Sequence, residues 1–129
     1  MSNYYAFLLY RRRDYKRPGK DGAVRLPGVT AYMSLLAPVA VFGRTVSKLY
    51  DNTWTRPQHH LELSEVLDPT TAEGDLETLL MAAVASTPYT FLSPEDVSQP
   101  LPEGVTPYEY CYCAEPWDKI FHILFSDTD

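Results

Sequence analysis

The chain has 129 residues, of which 45% are hydrophobic and 13% aromatic, and this size suits one globular domain rather than two. It carries a formal net charge of −6, holds no apolar run near the roughly 18 residues that span a bilayer, and does not begin with a secretory signal pattern. Its two cysteines, spaced Cys-x-Cys, form no disulfide framework. We therefore expect a single cytoplasmic domain over residues 1–129.

The charge is distributed unevenly along the chain. Residues 1–56 hold ten basic and three acidic residues, whereas residues 57–129 hold one basic and fourteen acidic residues. Seven of the eleven basic residues fall between Arg11 and Arg25. This asymmetry bears on association and on the choice of partner, and it does not define a fold.

The first predicted element is a strand from Tyr4 to Tyr10. Its residues are apolar on both faces, which is typical of a central strand of a sheet. From Arg11 to Gly28 the composition changes to basic residues with Pro-Gly and Asp-Gly turn signals. We interpret residues 11–28 as a basic, exposed loop.

The next stretch, residues 29–63, is apolar but ambiguous. Helical spacing of apolar residues predicts a short helix over residues 30–37, which Pro38 ends. Alternation of polar and apolar residues then predicts a half-buried strand from Arg44 to Tyr50. A further short strand is predicted from His59 to Leu63.

The clearest predicted helix lies between Thr70 and Pro88. Thr70 and Glu73 have the spacing of a capping box, and Pro88 ends the helix. Its apolar residues recur on one stripe that we expect to face the sheet, namely Leu76, Leu79, Leu80, Ala83 and Val84. The helix dipole stabilises the acidic residues in its first turns.

A proline-rich passage and a hairpin complete the chain. Residues 87–107 contain five prolines and one predicted helical turn at Ser93-Pro94-Glu95-Asp96, and a passage of this length is a candidate interaction surface. Aromatic and β-branched residues then predict two strands, Tyr108–Cys113 and Lys119–Phe125, joined as a hairpin. We therefore predict an α+β single domain: a mainly antiparallel sheet, built from this hairpin and the N-terminal strand, with one amphipathic helix packed on it.

The hairpin register suggests one candidate catalytic set. It places Cys111 opposite His122 on the face that also carries Glu109, in the order of a nucleophile, a base and an orienting carboxylate. We prefer the structural interpretation, a buried cysteine and a hydrogen-bonded histidine in a sheet. No phosphate-binding loop, nucleophile elbow or zinc motif accompanies the set.

Metal binding is considered for the histidines and cysteines, because imidazole and thiolate suit zinc. His59 and His60 are adjacent, and adjacent residues of a strand point to opposite faces. At most one of them could join Cys111, Cys113 and His122, and we therefore expect neither a metal site nor a cofactor.

Two charged groups are candidate binding surfaces. The first is a run of carboxylates that could imitate the phosphates of nucleic acid toward a basic protein: Glu62, Glu65, Asp68, Glu73, Asp75 and Glu77. The second is a basic group that could contact phosphates: Arg11, Arg12, Arg13, Lys16 and Arg17. We interpret the second group as a solvated loop and do not expect nucleic-acid binding.

A small, acidic chain of this kind, without catalytic motifs, resembles in general character the toxin-immunity proteins and the phage-encoded inhibitors of bacterial defence, including anti-CRISPR proteins, although it shares no motif with them. The leading hypothesis is a non-enzymatic inhibitor that blocks a basic protein partner with its acidic residues. The alternatives are a small enzyme centred on Cys111 and His122, and a nucleic-acid-binding protein that uses the Arg11–Arg17 loop. The oligomeric state is left open.

Overall fold

The computed structural model describes residues 2–15, 20, 22–50, 60–107 and 115–126. Within these residues the elements in chain order are β1 (Tyr4–Tyr10), β2 (Ala23–Ser34), β3 (Val39–Tyr50), α1 (Asp75–Val84), β4 (Thr90–Phe91), α2 (Pro94–Val97) and α3 (Ile120–Leu124). Short 3₁₀ helices form at Arg12–Asp14 and Leu63–Glu65. The predicted α+β class is confirmed.

The sheet has the strand order β1-β2-β3-β4. β1 and β3 both pair antiparallel with β2, and the short β4 pairs parallel with β3. Within the described residues β1 has a strand neighbour on one side only, so the predicted central position of the N-terminal strand is not seen there. β2 begins at Ala23 and Arg12–Asp14 is helical, so the predicted 11–28 loop is also shorter than expected.

The predicted helix over residues 30–37 is wrong, since β2 continues to Ser34 and the chain then bends into β3. The helical spacing of apolar residues is real, but residues 30–33 pair with residues 40–43 across a long antiparallel ribbon. Tertiary pairing outweighs a local helical pattern here. The predicted strand from Arg44 to Tyr50 is confirmed as the second half of β3.

Strand alternation gives the sheet two covered faces. Ala31 and Phe42, which are opposite each other in register, lie on the face covered by α1, where Leu80 and Val84 pack against them. Tyr32 and Val41 lie on the other face, where the covering residues are Leu61, Val66, Val97, Phe121 and Phe125. The described part of the molecule is therefore a three-layer arrangement with a core on each side of the sheet.

The helix predicted after Thr70 forms, but it begins later. α1 starts at Asp75 with Gly74 as its N-cap, and the predicted capping box of Thr70 and Glu73 is absent from it. Thr70 instead donates its backbone N–H and hydroxyl to Asp68 in a preceding turn. Leu80 and Val84 face the core as expected, whereas Leu79 is 61% exposed and Ala83 is also exposed, so the predicted stripe is only partly confirmed.

The predicted strand from Lys119 to Phe125 is wrong, because α3 occupies Ile120–Leu124. Phe121 and Phe125, four residues apart, bury their rings in one core with their centroids 5.3 Å apart, which a helix allows. The other predicted strand of the hairpin, Tyr108–Cys113, lies outside the described residues. The register that set Cys111 opposite His122 therefore does not hold.

Other predictions fall on loops and short turns. His59 lies outside the described residues, and residues 60–63 form no strand, so the predicted strand there is wrong in its described part. The predicted turn at Ser93 is confirmed as α2, where the Ser93 hydroxyl and the Asp96 carboxylate cap each other's backbone N–H groups. Among the described residues, no helix has the length and apolar character needed to cross a bilayer.

Candidate functional site

A cleft of about 410 Å³ opens where the β2–β3 ribbon extends past the end of β1. Pro27 and Val46, paired in register, form part of its apolar wall together with Leu76 of α1. Six charged side chains complete the lining: Arg11, Asp14, Arg44, Glu65, Asp75 and Glu77. We call this site the charged cleft.

Glu77 lies at the base of the charged cleft and is 2% exposed. It is carried by the first turn of α1, where the helix dipole favours a negative charge. The Arg44 Nε of β3 donates to Glu77 Oε1 at 2.5 Å, which gives this buried carboxylate a charged hydrogen-bond partner. The pair also ties α1 to the sheet.

Gly74 makes room for this ion pair. A Cβ atom built on Gly74 would overlap the Glu77 carboxylate and the Arg44 guanidinium. The residue therefore serves as the N-cap of α1 without a side-chain cap. The absence of a side chain at this position lets the two charged groups meet beside the helix terminus.

A second ion pair lies at the entrance of the cleft. Arg11, which follows β1, donates to the Asp75 carboxylate at the start of α1. Asp75 is largely exposed, and an exposed pair of this kind stabilises a fold by at most about 1 kcal/mol. Its effect is to hold the end of β1 beside the helix.

The two remaining carboxylates of the cleft have no cation partner among the described residues. Glu65 accepts the backbone N–H of Glu62 through Oε1 at 2.9 Å. Asp14 lies in the 3₁₀ helix that follows β1 and takes part in none of the ion pairs of the described residues. The cleft therefore holds four carboxylates and two guanidinium groups, an excess of two negative charges.

The structure brings together three of the six carboxylates that the sequence nominated, namely Glu65, Asp75 and Glu77. Glu62 is half-buried and caps the Leu63–Glu65 turn. Asp68 accepts hydrogen bonds from the Thr70 hydroxyl and backbone N–H, which lower the pKa of its carboxyl, and Glu73 is exposed outside the cleft.

Sequence reasoning missed Asp14 and Arg44 as members of the site. Asp14 stands inside a run of basic residues, and the sequence pattern places Arg44 only in a strand. A charged residue in the middle of a strand, next to a glycine, is the available signal for Arg44. For Asp14 the sequence holds no such signal.

Of the candidate nucleic-acid contacts, Arg11 is engaged with Asp75, while Arg12 and Arg13 are exposed in the 3₁₀ helix. Lys16 and Arg17 lie outside the described residues. The structure thus places one member of the basic group inside an acidic cleft.

Of the candidate catalytic set, Cys111 and Glu109 lie outside the described residues. His122 is buried in α3, and its Nδ1 accepts the backbone N–H of Lys119 at 3.0 Å. Burial lowers the pKa of His122, although the negative charges of Asp118 and Glu62 act in the opposite direction. The enzyme hypothesis stays a prediction.

No three His, Cys, Asp or Glu side chains in the described part of the chain are grouped as metal ligands. His59, Cys111 and Cys113, which the metal hypothesis considered, fall outside that part.

No protein-family model, curated protein or solved structure matches this chain. The charged cleft and its surroundings are therefore the basis on which a function is proposed.

Proposed function

We propose that the protein is a non-enzymatic binder that takes a basic side chain of a protein partner into the charged cleft and thereby blocks that partner. The observation that supports this proposal is the excess of carboxylates in the cleft, where Asp14 and Glu65 pair with no described cation. A lysine or arginine side chain would compensate one of these two charges and could donate hydrogen bonds to both carboxylates.

The shape of the cleft suits a lysine or arginine side chain. Its volume lies at the low end of the range for sites that hold small ligands, about 300 to 1,000 Å³, and it can accept one long side chain with its flanking backbone. Pro27, Val46 and Leu76 would pack against the methylene stem, while the carboxylates meet the charged head. Arginine fits best because its planar guanidinium can donate to two carboxylates at once.

The distribution of charge in the whole chain favours association with a basic partner. Fourteen of the seventeen carboxylates lie in residues 57–129, and the net charge is −6. A field of one sign raises the rate of encounter with an oppositely charged surface and loses this effect as salt is added. We propose that the partner is a basic protein of a toxin or defence system, on the strength of this charge profile alone.

The test uses an arginine side chain as the probe. Titration of the protein with N-acetyl-arginine amide, followed by NMR, should shift the amide signals of Asp14, Gly28 and Glu65 in a saturable way. The citrulline amide has the same shape without the charge, and it should produce no such shift. Added salt should weaken the arginine response.

Two double variants test whether the arginine-induced NMR shifts arise from the charged cleft. Asp14→Asn with Glu65→Gln removes the two unpaired charges and keeps an oxygen that can accept the Glu62 N–H, so the fold should survive and the arginine shift should disappear. The control is Glu103→Gln with Glu115→Gln, which removes two exposed charges outside the cleft. An equal response to citrulline amide, or an undiminished response in the cleft variant, contradicts the proposal.

A further inference from the structure

Arg44 presents an exposed guanidinium to the charged cleft that the proposed function does not use. It donates to Glu77 through Nε, and its side chain is nevertheless 68% exposed. A guanidinium has five N–H donors, and a carboxylate can accept two of them side by side. No acceptor in the described part of the chain bonds to the Nη donors of Arg44. Arg44 therefore has the donors to bind one further carboxylate.

The guanidinium of Arg44 is held in a defined position. Arg44 lies within β3, opposite the buried Val29 of β2. Its Nε bonds to Glu77 of α1, which is 2% exposed, and its Nη2 lies close to Gly74, where a Cβ atom would overlap it. A donor group that is already oriented loses less conformational freedom when it binds a ligand.

Asp14 reaches the cleft from the other side of β2. It follows β1, whereas Arg44 belongs to β3, and β2 lies between these two strands. Neighbouring strands are about 4.8 Å apart, so the backbones of β1 and β3 are separated by about 10 Å. Pro27 and Gly28 of β2 line the cleft along this span. The cleft thus has a carboxylate without a described cation at one side and guanidinium donors at the other.

A carboxylate without a cation would not bind stably at Arg44. The cleft holds four carboxylates and two guanidinium groups, and Glu77 already compensates the charge of Arg44. A further anion alone would be repelled by this excess of negative charge. A ligand that also carries a cation avoids the repulsion, because its positive group compensates a carboxylate of the cleft.

We infer that the group recognised in the charged cleft is an arginine joined to a carboxylate, and this inference rests on the proposed function. The guanidinium of the ligand donates to Asp14, and its carboxylate accepts from the two Nη atoms of Arg44. Two sources supply this chemistry. One is a chain that ends in arginine, whose α-carboxylate belongs to the same residue, and the other is an arginine followed by an acidic residue.

Two ligands that differ in one group test the carboxylate contact. N-acetyl-arginine ends in a carboxylate and is neutral overall, whereas N-acetyl-arginine amide is a cation. The excess negative charge of the cleft by itself favours the amide. We expect the opposite order in NMR titrations, with a Kd about tenfold lower for N-acetyl-arginine, because hydrogen bonds between two charged groups are strong. N-acetyl-citrulline, which has the carboxylate without the cation, should not bind.

A second pair of ligands distinguishes the two sources of the carboxylate. The N-acetylated dipeptide amides arginyl-glutamate and arginyl-glutamine differ only in the charge of the second side chain. A gain shown by N-acetyl-arginine supports a chain terminus as the ligand, and a gain confined to arginyl-glutamate supports an internal acidic residue. Equal or weaker binding of both carboxylate ligands, each compared with its uncharged counterpart, overturns the inference and leaves the proposed function intact.

Arg44→Lys tests the residue that makes the contact. A lysine keeps a cation beside Glu77 but lacks the planar pair of Nη donors, so the advantage of the carboxylate ligand should fall below about twofold while the amide still binds. Arg12→Lys, the same change at an exposed position outside the cleft, should keep the full advantage. An advantage that survives Arg44→Lys overturns the inference. If Arg44→Lys does not fold, the ligand comparison on the unmodified protein still decides. The absence of any response to N-acetyl-arginine amide would overturn the proposed function and this inference together.

Discussion

Glu77 is almost fully buried at the start of α1, and Arg44 supplies the cation that bonds to it. Removing water from a carboxylate costs several kcal/mol, and this cost is offset only while the opposite charge and its hydrogen bond remain. The Arg44 side chain is itself mostly exposed, so water screens part of the attraction. Loss of the Arg44 cation would therefore leave a buried charge, whereas loss of the Glu77 carboxylate would leave a mostly exposed arginine.

Arg44→Met should lower the free energy of unfolding by about 2 kcal/mol at neutral pH, because it leaves the Glu77 charge buried without a cation. Adding Glu77→Leu should restore part of the loss, since the double variant buries no charge. Urea denaturation measures both effects, and Arg12→Met, a change at an exposed position, is the control. A double variant less stable than Arg44→Met would contradict this account.

His122 should make the protein less stable as the pH falls. Burial lowers the pKa of the folded imidazole below 6.5, so the unfolded chain binds a proton more readily than the folded chain does. The stabilising contribution is present above pH 6.5 and is lost as the pH falls below it. Protonation of Nδ1 would also break the hydrogen bond from Lys119.

Thermal melting between about pH 7 and about pH 5.5 measures this effect, a range in which most carboxylates stay ionised. A His122→Gln variant, which keeps an acceptor and cannot titrate, should show a flatter dependence of melting temperature on pH. A variant with the same pH dependence as the unmodified protein would show that another group is responsible.

At the scale of elements, the segment that carries Glu65 is held against β3 at Gly43. Val66 forms a bridge with Gly43, and Leu67 donates its N–H to the Phe42 oxygen at 2.9 Å. A Cβ atom on Gly43 would overlap the backbone oxygen of Glu65. The close approach of two backbones therefore positions one carboxylate of the charged cleft.

Gly43→Ala should displace this segment and cost about 2 kcal/mol of stability, because backbone atoms must move to accept the methyl group. Hydrogen exchange provides a local measurement: the Leu67 amide should exchange faster, whereas the Leu92 amide, bonded to Ala40 at 2.9 Å, should keep its rate. Unchanged exchange at Leu67 would mean that the segment is held by other contacts.

At the scale of the whole molecule, two surfaces beside β1 differ in their chemistry. The charged cleft lies past the end of β1 and holds an excess of carboxylates, while the outer side of β1 is apolar and uncharged. Added salt should therefore weaken the binding of a cation in the charged cleft.

Local signals in the sequence were sufficient for several elements. β1, the second half of β3, α2 with its Ser93 cap, and the inward Leu80 and Val84 of α1 each follow from residues that are neighbours in the chain. Turn residues and capping groups act over three or four positions, and the physical preference is already present in the unfolded chain. The α+β class follows from these elements together.

The tertiary structure decided the elements whose pattern fits both a helix and a strand. Phe121 and Phe125 are four residues apart, a spacing that places them on the same face of either a strand or a helix. Packing in the core on that face of the sheet favours the helix. The apolar residues near residues 30–34 have helical spacing, but the backbone groups of this segment find their hydrogen-bond partners in a neighbouring strand, β3.

The composition of the charged cleft could not be predicted from the sequence. The run of carboxylates is visible in the printed chain, yet which of them face a cation depends on pairs such as Arg44 with Glu77, separated by 33 positions. Asp14 reaches the cleft because β1 ends beside the start of α1. Electrostatic compensation depends on distance in space and on burial, and both are set only when the layers have packed.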